Sequence, residues 1–466
     1  MASAARVSLW ARSTRVGRVA GDSTRANRVF NLTLLTLVIS TTSRVLVAVR
    51  APSVVDFVHI PLVLLTVAEA APLLRARRET RRTVCWLGVL LIGSVTAWIG
   101  AGGEAARPLA GWLLLAEPIL LASVVFAVIA TAPNMVKAAR IARVEALAIG
   151  LAALQLPFVI VQVARSGPGD SVQGTFIHLG SGAHVAGAVA FVGALAAAHR
   201  ALREGRSMYW LVGLAFILVS IAADAKQIIV AAVPAAIAVV MLADVAVMRA
   251  MSRLTRRRIK LGISLVAAGV FFAVVASYPP LLHASRGSEL SGGASGKVDA
   301  ARTIVDAMNS RPETFLTGLG SGNTVGKLAT LTKGSGLKAD SPVGALHLAE
   351  SPVTAKIIAQ DKSNYILASS SAFAGLSSLL GIFGDVGILG LTAYFMSWYG
   401  ILRPGIRRGG AARTIIVAAI VSVLILGYIN VWLEEPNFML PLAAFLAAVA
   451  ARTPAHGRSG TVGRVV

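Results

Sequence analysis

The chain has 466 residues, of which 56% are hydrophobic and only 14% charged, and its mean hydropathy is +0.74. Its 44 Lys and Arg against 21 Asp and Glu leave a formal charge of +23. These cations sit in short tracts between apolar runs, a pattern that reports membrane topology and excludes a nucleic-acid binder, whose basic residues would cluster on a soluble domain. The one cysteine, Cys85, excludes an intrachain disulfide and a cysteine-based metal site; at the start of an apolar run it reads as a small buried hydrophobe.

A hydrocarbon core about 30 Å thick takes about 20 apolar residues of helix. Runs of that order fall at 29–49, 55–74, 83–101, 109–132, 144–164, 181–199, 208–225, 226–248, 261–280, 372–402, 414–433 and 437–451. They predict an all-α polytopic membrane protein of about twelve transmembrane helices: nine within 29–280 and three within 372–451. The first run follows the basic segment 1–28, but it is long, contains Arg44 and lacks a small-residue cleavage site, so it reads as a retained helix. Lys and Arg tracts occupy the N-terminus, 75–82, 137–143, 200–206, 249–260, 403–413 and the tail 452–466. With twelve spans all of them fall on one side, and the opposite short loops carry only Arg50, Arg107 and Arg165. By the positive-inside rule both termini are then cytoplasmic. The segment 281–371 faces outward. It is rich in Gly, Ser and Thr, and it is longer than a connector needs to be. Asp299–Met308 has helical apolar spacing, so this loop is expected to be partly folded.

Ionisable groups in apolar runs carry a cost that points to function. Arg44, in the outer half of the first run, is either a snorkelling interfacial residue or an anion clamp. Asp224 and Lys226, between the seventh and eighth runs, form either a self-neutralising pair or, through Lys226, a phosphate site. His178 and His184 are six apart and do not share a helical face, so no metal site is expected there. Glu117 is a lone carboxylate in the fourth run that could pair with an arginine of another span. Glu434 and Glu435 read most simply as interfacial charges. In the loop, Thr317-Gly318-Leu319-Gly320-Ser321-Gly322-Asn323 places glycines at alternate positions, which lets backbone N–H groups approach an anion. The stretch lacks the Lys-Ser/Thr ending of a P-loop. Downstream, Asp385 is the only acid of the tenth run, between Gly384 and Gly387, which suggests close helix packing around a polar contact.

Leu316–Asn323 and Leu379–Leu391, together with the large loop before the last few spans, resemble the O-antigen ligase and O-antigen polymerase superfamily of bacterial envelope glycosyltransferases. The match places Asp385 where that family has an acid, with Gly387 and Gly390 after it. The resemblance implies a multi-pass protein of the plasma (inner) membrane whose substrate is a polyprenyl-diphosphate-linked glycan on the outer leaflet. It also implies membrane lipid as surroundings, a flippase and other glycan-assembly proteins as partners, and a transfer to an acceptor hydroxyl without metal or cofactor. Such a transfer needs cations on the diphosphate, for which Arg44, Lys226, Arg302 and Arg311 are the candidates, and a base for the acceptor. Asp224, Gly318, Gly320, Gly322, Asp385 and Gly387 would support the site. Ligases of this family carry a His-Asn pair shortly before the acid, whereas this chain reads Gly375-Leu376-Ser377-Ser378 there. This favours a polymerase-like or divergent member, with His347, Glu350 or Asp361 as substitute bases. A secondary transporter or lipid-linked oligosaccharide flippase is the alternative reading.

Overall fold

The structure, a computed structural model, describes residues 2–48, 51, 53–102, 104–177, 182–243, 261, 262, 265, 269, 296–332, 348–363 and 375–452. All regular elements among them are helical. In chain order the first eight are α1 (Ala2–Ala48), α2 (His59–Ala76), α3 (Arg78–Ala101), α4 (Arg107–Thr131), α5 (Asn134–Ser166), α6 (Gly182–Glu204), α7 (Met208–Ala222) and α8 (Lys226–Leu242). Four loop helices follow: α9 (Gly296–Asn309), α10 (Thr314–Thr317), α11 (Lys327–Thr332) and α12 (Pro352–Ser363). The last three are α13 (Ser378–Arg408), α14 (Gly410–Ile429) and α15 (Pro436–Ala451).

Eight described helices are long and apolar enough to cross a membrane: α1 through α6, α13 and α14. The chain is therefore an all-α, membrane-embedded protein. α7, α8 and α15 have 15, 17 and 16 residues; at about 1.5 Å per residue they reach roughly 22 to 26 Å, less than a full hydrocarbon core. The predicted ninth run, 261–280, lies almost wholly outside the described residues, as do Arg50, His178, the tract 249–260 and most of the tail.

Short connections fold consecutive helices back on each other. Arg77 alone joins α2 to α3, Ala132–Pro133 join α4 to α5, and Gly409 alone joins α13 to α14. These hairpins bring the tracts at 75–82, 137–143, 200–206 and 403–413 to one end of the bundle, hereafter the basic end. The loop helices α9 to α12 cap the opposite end. α4, α6 and α15 form the centre and are buried almost all round. α3 instead buries a single stripe, Thr80, Thr83, Leu87, Leu90, Ser94 and Ala97. Cys85 lies off that stripe and is exposed, not buried as its apolar run suggested. In a bilayer an apolar run is solvated by lipid, so hydropathy does not separate packed faces from lipid-facing ones.

Several boundaries move for local reasons. α1 runs unbroken from Ala2 to Ala48, and its part apolar enough to cross a membrane is Ser23–Val47, against the predicted 29–49. α8 stops at Leu242, short of the predicted 248. α13 starts at Ser378, not 372, where Ser377 in extended conformation caps it by accepting a hydrogen bond from the Leu380 N–H at 3.3 Å. The expected loop helix exists as α9, and it packs with α12 around Ala300, Ile304, Met308 and Ile357 against Leu380 and Phe383 of α13.

α13 is broken at Gly387, whose backbone (φ 64°, ψ −170°) is available essentially to glycine alone. A Cβ there would collide with the Leu316 carbonyl of the loop, and one at Gly318 (φ 88°) would collide with the Asp385 carbonyl. Replacing Gly387 by Ala should therefore destabilise the fold by roughly 1–3 kcal/mol or more. Gly88→Ala, where a Cβ meets nothing within 4 Å, should leave stability unchanged or raise it. Thermal unfolding of both variants in detergent checks this; equal midpoints would refute the close approach at Gly387.

Candidate functional site

The break in α13 creates a need for hydrogen bonds, and the glycine segment of the loop meets it. Just before Gly387 the carbonyls of Gly384 and Asp385 turn to the loop for donors. The Leu319 N–H donates to the Gly384 carbonyl at 2.7 Å and the Gly320 N–H to the Asp385 carbonyl at 3.0 Å. Buried carbonyls in a bundle must be paired in this way, because lipid offers no donor. The side chain of Asp385 is buried and completes the junction. It accepts from the Gly322 N–H at 2.6 Å, the Thr324 N–H at 3.0 Å and the Thr324 hydroxyl at 2.7 Å. Of the alternate glycines, only Gly322 gives its N–H to an anion, the chain's own Asp385; Gly320 and Gly318 give theirs to the carbonyls of Asp385 and Thr314.

A second set of contacts holds this loop to the start of α4. Arg107, buried, donates to the Gly322 carbonyl at 3.3 Å and to Asn323 Oδ1 at 3.0 Å, and also reaches the Ala349 carbonyl. Glu104 binds Arg107 Nε at 3.0 Å and accepts from the Ala349 N–H at 2.9 Å. Burial pushes the Glu104 carboxyl up, but the Ala349 N–H and Arg107 together hold it below its ordinary value.

The turn between α14 and α15 is the hub of this end of the bundle. Ser378 N–H donates to the Asn430 carbonyl at 3.1 Å, and the Ser378 hydroxyl accepts from the Leu433 N–H at 3.0 Å. Trp432 Nε1 donates to Gln227 of α8 at 2.6 Å. Lys297 of α9 is buried and donates to the Leu376 and Ile429 carbonyls, each at 2.8 Å. Glu434 and Glu435 are both buried, 6% and 7% exposed, and are not the interfacial charges their sequence suggested. Glu434 accepts from the Lys327 N–H at 2.7 Å, and Glu435 binds the Lys327 ammonium at 2.8 Å. Burial, reinforced by the negative charge of Asp385, pushes the Glu434 carboxyl up to about 8. Burial acts on Glu435 too, but the Lys327 ammonium outweighs it and holds that carboxyl below its ordinary value. Two adjacent carboxyls thus differ in character, one kept proton-rich and one ionic.

Next to the hub, Glu117 pairs with His59 at 2.6 Å, so its partner is a histidine of α2 where an arginine was expected. Arg44 forms an ion pair with Asp56 at 2.9 Å. Lys226 and Asp224 pair at 2.7 Å and stay about half exposed, as the self-neutralising reading expects. Arg302 lies 3.7 Å from Asp299 and is exposed, and exposed Arg311 donates to the Gly100 carbonyl at 2.6 Å. The four cations proposed for a diphosphate therefore do not form one cluster of ion pairs; each has its own local partner. Of the three candidate bases, Glu350 is exposed beside Ala349, whereas His347 and the side chain of Asp361 lie outside the described residues. Among the described residues no three His, Cys, Asp or Glu side chains converge as metal ligands.

Asp385 and the two glycine stretches were visible in the sequence as separate motifs; their union was not. Glu434 and Glu435 left one usable signal, two acids abutting Pro436 between two apolar runs. Arg107, Glu104, Lys297, Lys327 and Thr324 left none, because each acquires its role from a distant partner, from 61 residues away for Thr324 and Asp385 to 245 for Glu104 and Ala349. Replacing Asp385 by Asn would turn an amide donor toward an N–H donor, at a cost of about 1–3 kcal/mol. Cleavage within 316–332 by limited proteolysis should then be faster than in the parent chain, and an unchanged rate would show that Asp385 does not hold the loop. No family model matches the chain, and no curated protein is similar to it.

Proposed function

We propose that the chain is an envelope glycan polymerase or ligase that transfers a glycan from a polyprenyl diphosphate to an acceptor hydroxyl on the outer face of the plasma membrane. In this reading the basic end is cytoplasmic, with both termini, and the end capped by α9 to α12 faces outward. The observation that carries it is the junction at Asp385: the two stretches that resemble the O-antigen ligase and polymerase superfamily meet there, beside buried Glu434.

The neighbourhood in which ligases of that family have a histidine reads Gly375-Leu376-Ser377-Ser378 here, and Ser378 binds the turn that carries Glu434. Glu434 then takes the role of base. A carboxyl tuned near neutrality is suited to this, because a base works best with a pKa near the operating pH. In the reaction the acceptor O–H proton passes to Glu434, and the acceptor oxygen bonds to the anomeric carbon. The bond from that carbon to the phosphate oxygen breaks, releasing the lipid diphosphate. Gly326 and the Lys327 N–H lie against the Glu434 carboxyl, so the acceptor reaches it when α11 is displaced. Arg44 and Lys226 are the cations for the leaving group; to hold a diphosphate each exchanges its present carboxylate partner for a more highly charged one.

The alternative, a secondary transporter or oligosaccharide flippase, draws on the break in α13, since broken helices hold substrates and ions in transporters. The carbonyls released by this break are taken by loop amides, which leaves the transferase better supported.

Reconstituted protein supplied with a polyprenyl-diphosphate glycan should lengthen or transfer the glycan and release lipid diphosphate. Glu434→Gln should slow this by about 10²-fold or more with the fold intact. The parent rate should climb as pH rises toward about 8, because the base acts only when deprotonated. A full rate for Glu434→Gln would remove Glu434 from the mechanism. Translocation of the glycan without transfer would overturn the transferase itself.

A further inference from the structure

The basic end holds a cavity of about 610 Å³ between the start of α3 and the end of α13. α3 contributes Arg78, Arg82 and Trp86, which fall on one face at intervals of four. α13 contributes Tyr399, Arg403 and Arg407 at the same intervals of four, with Arg408 at the end of the helix. Among the described residues Glu79 is the only acid in the lining, so five guanidinium groups surround one space against a single carboxylate. Such a cluster repels itself at an interface where the dielectric constant falls, unless an anion sits within it.

The individual arginines differ. Arg408 is already engaged, donating to the Ala450 carbonyl at 2.8 Å and to the Arg452 carbonyl. Arg403 lies over the Tyr399 ring, 5.8 Å from its centroid, and its Nε is buried with no hydrogen-bond partner among the described residues. Arg78, Arg82 and Arg407 are exposed. The α3–α13 contact behind the cavity is closed by a small residue, since a Cβ at Gly400 would lie 2.6 Å from the Thr83 hydroxyl.

From these groups an apolar track rises along both helices. On α3, Val89 and Ile92 are 38% and 66% exposed, and on α13 Phe395 and Tyr399 are 38% and 46% exposed. Trp and Tyr at the foot of such a track are typical of the level of lipid headgroups. A free phosphate would use the arginines but not the track; an anionic phospholipid would use both. The cavity volume is of the size that takes a ligand of a few tens of atoms.

We propose that this cavity binds the phosphate headgroup of an anionic phospholipid, its acyl chains lying along Val89, Ile92 and Phe395. The site is at the opposite end from Asp385 and Glu434 and does not depend on the transferase reading. Guanidinium groups of Arg82 and Arg403 hold the phosphodiester oxygens, and Trp86 and Tyr399 flank the glycerol.

Full-length protein in vesicles of phosphatidylcholine containing spin-labelled phosphatidylglycerol tests this, with spin-labelled phosphatidylcholine for comparison. The expected result is a motionally restricted fraction at least tenfold richer for phosphatidylglycerol. The Arg82→Gln/Arg403→Gln variant should bind roughly 30-fold more weakly, as the loss of two interfacial arginines predicts. Arg82→Lys/Arg403→Lys should keep most of the binding, which separates lost charge from lost fold. Arg75→Gln/Arg206→Gln, at the same end but outside the cavity, should behave as the parent. Equal retention of the two lipids, or undiminished binding in the double Gln variant, would overturn the proposal. Displacement of phosphatidylglycerol by millimolar inorganic phosphate would also overturn it, in favour of a free-phosphate site.

Discussion

Inside a bilayer a broken helix cannot leave its carbonyls bare, and the break at Gly387 in α13 obliges some other segment to supply donors. The loop does so with the N–H groups of Leu319 and Gly320. Once these are in place, Gly322 and Thr324 are brought against the Asp385 carboxylate, and Arg107 and Ser351 fasten the far side of the same turn. The glycines are needed at both surfaces, at Gly318 and at Gly387, because each backbone passes within touching distance of the other's carbonyl. Remove the break and the loop has nothing to pair with; remove the loop and the break is unsatisfied. The two motifs are therefore one structural unit separated by about 60 residues of chain.

The turn at Trp432–Glu434 extends that unit sideways. It is tied to α8 through Gln227, to α13 through Ser378 and to α11 through Lys327. Its two carboxyls are both buried yet treated oppositely. Glu435 faces a cation, whereas Glu434 receives an amide and feels the charge of Asp385. Placing unlike carboxyls side by side is a general way to obtain both a proton acceptor and a fixed charge from one residue type. It also explains why Lys327 cannot serve freely as a phosphate ligand.

The two ends of the bundle are built on different logic. At the capped end several ionisable groups pair within the chain: Arg44 with Asp56, His59 with Glu117, Lys327 with Glu435. A buried pattern of this kind also exists towards the basic end, where Glu145 is surrounded by His199, Arg200 and Arg203. The cavity between α3 and α13 departs from it, with five arginines against one acid among the described residues, an imbalance that the proposed phospholipid phosphate would offset.

Composition and hydropathy alone marked the chain as an all-α membrane protein and showed where most of its helices run and which tracts share an end. They did so because the bilayer is a simple solvent: length, apolarity and charge alternation are one-dimensional properties. The sequence also exposed both glycine stretches and Asp385, since glycine and a lone acid stand out against an apolar background. It misjudged Cys85, because lipid accepts an apolar face as readily as a neighbouring helix does. It missed the burial of Glu434 and Glu435 and the histidine partner of Glu117, because a charged residue at a span end looks alike whether it faces water or a folded loop. It took the packed helices and loop to reveal that the glycine segment answers a broken helix, that its anion is Asp385, and that Arg107 and Lys327 belong to the same end of the bundle. Those pairings depend on which faces meet across up to 245 residues of chain, and hydropathy carries no record of them.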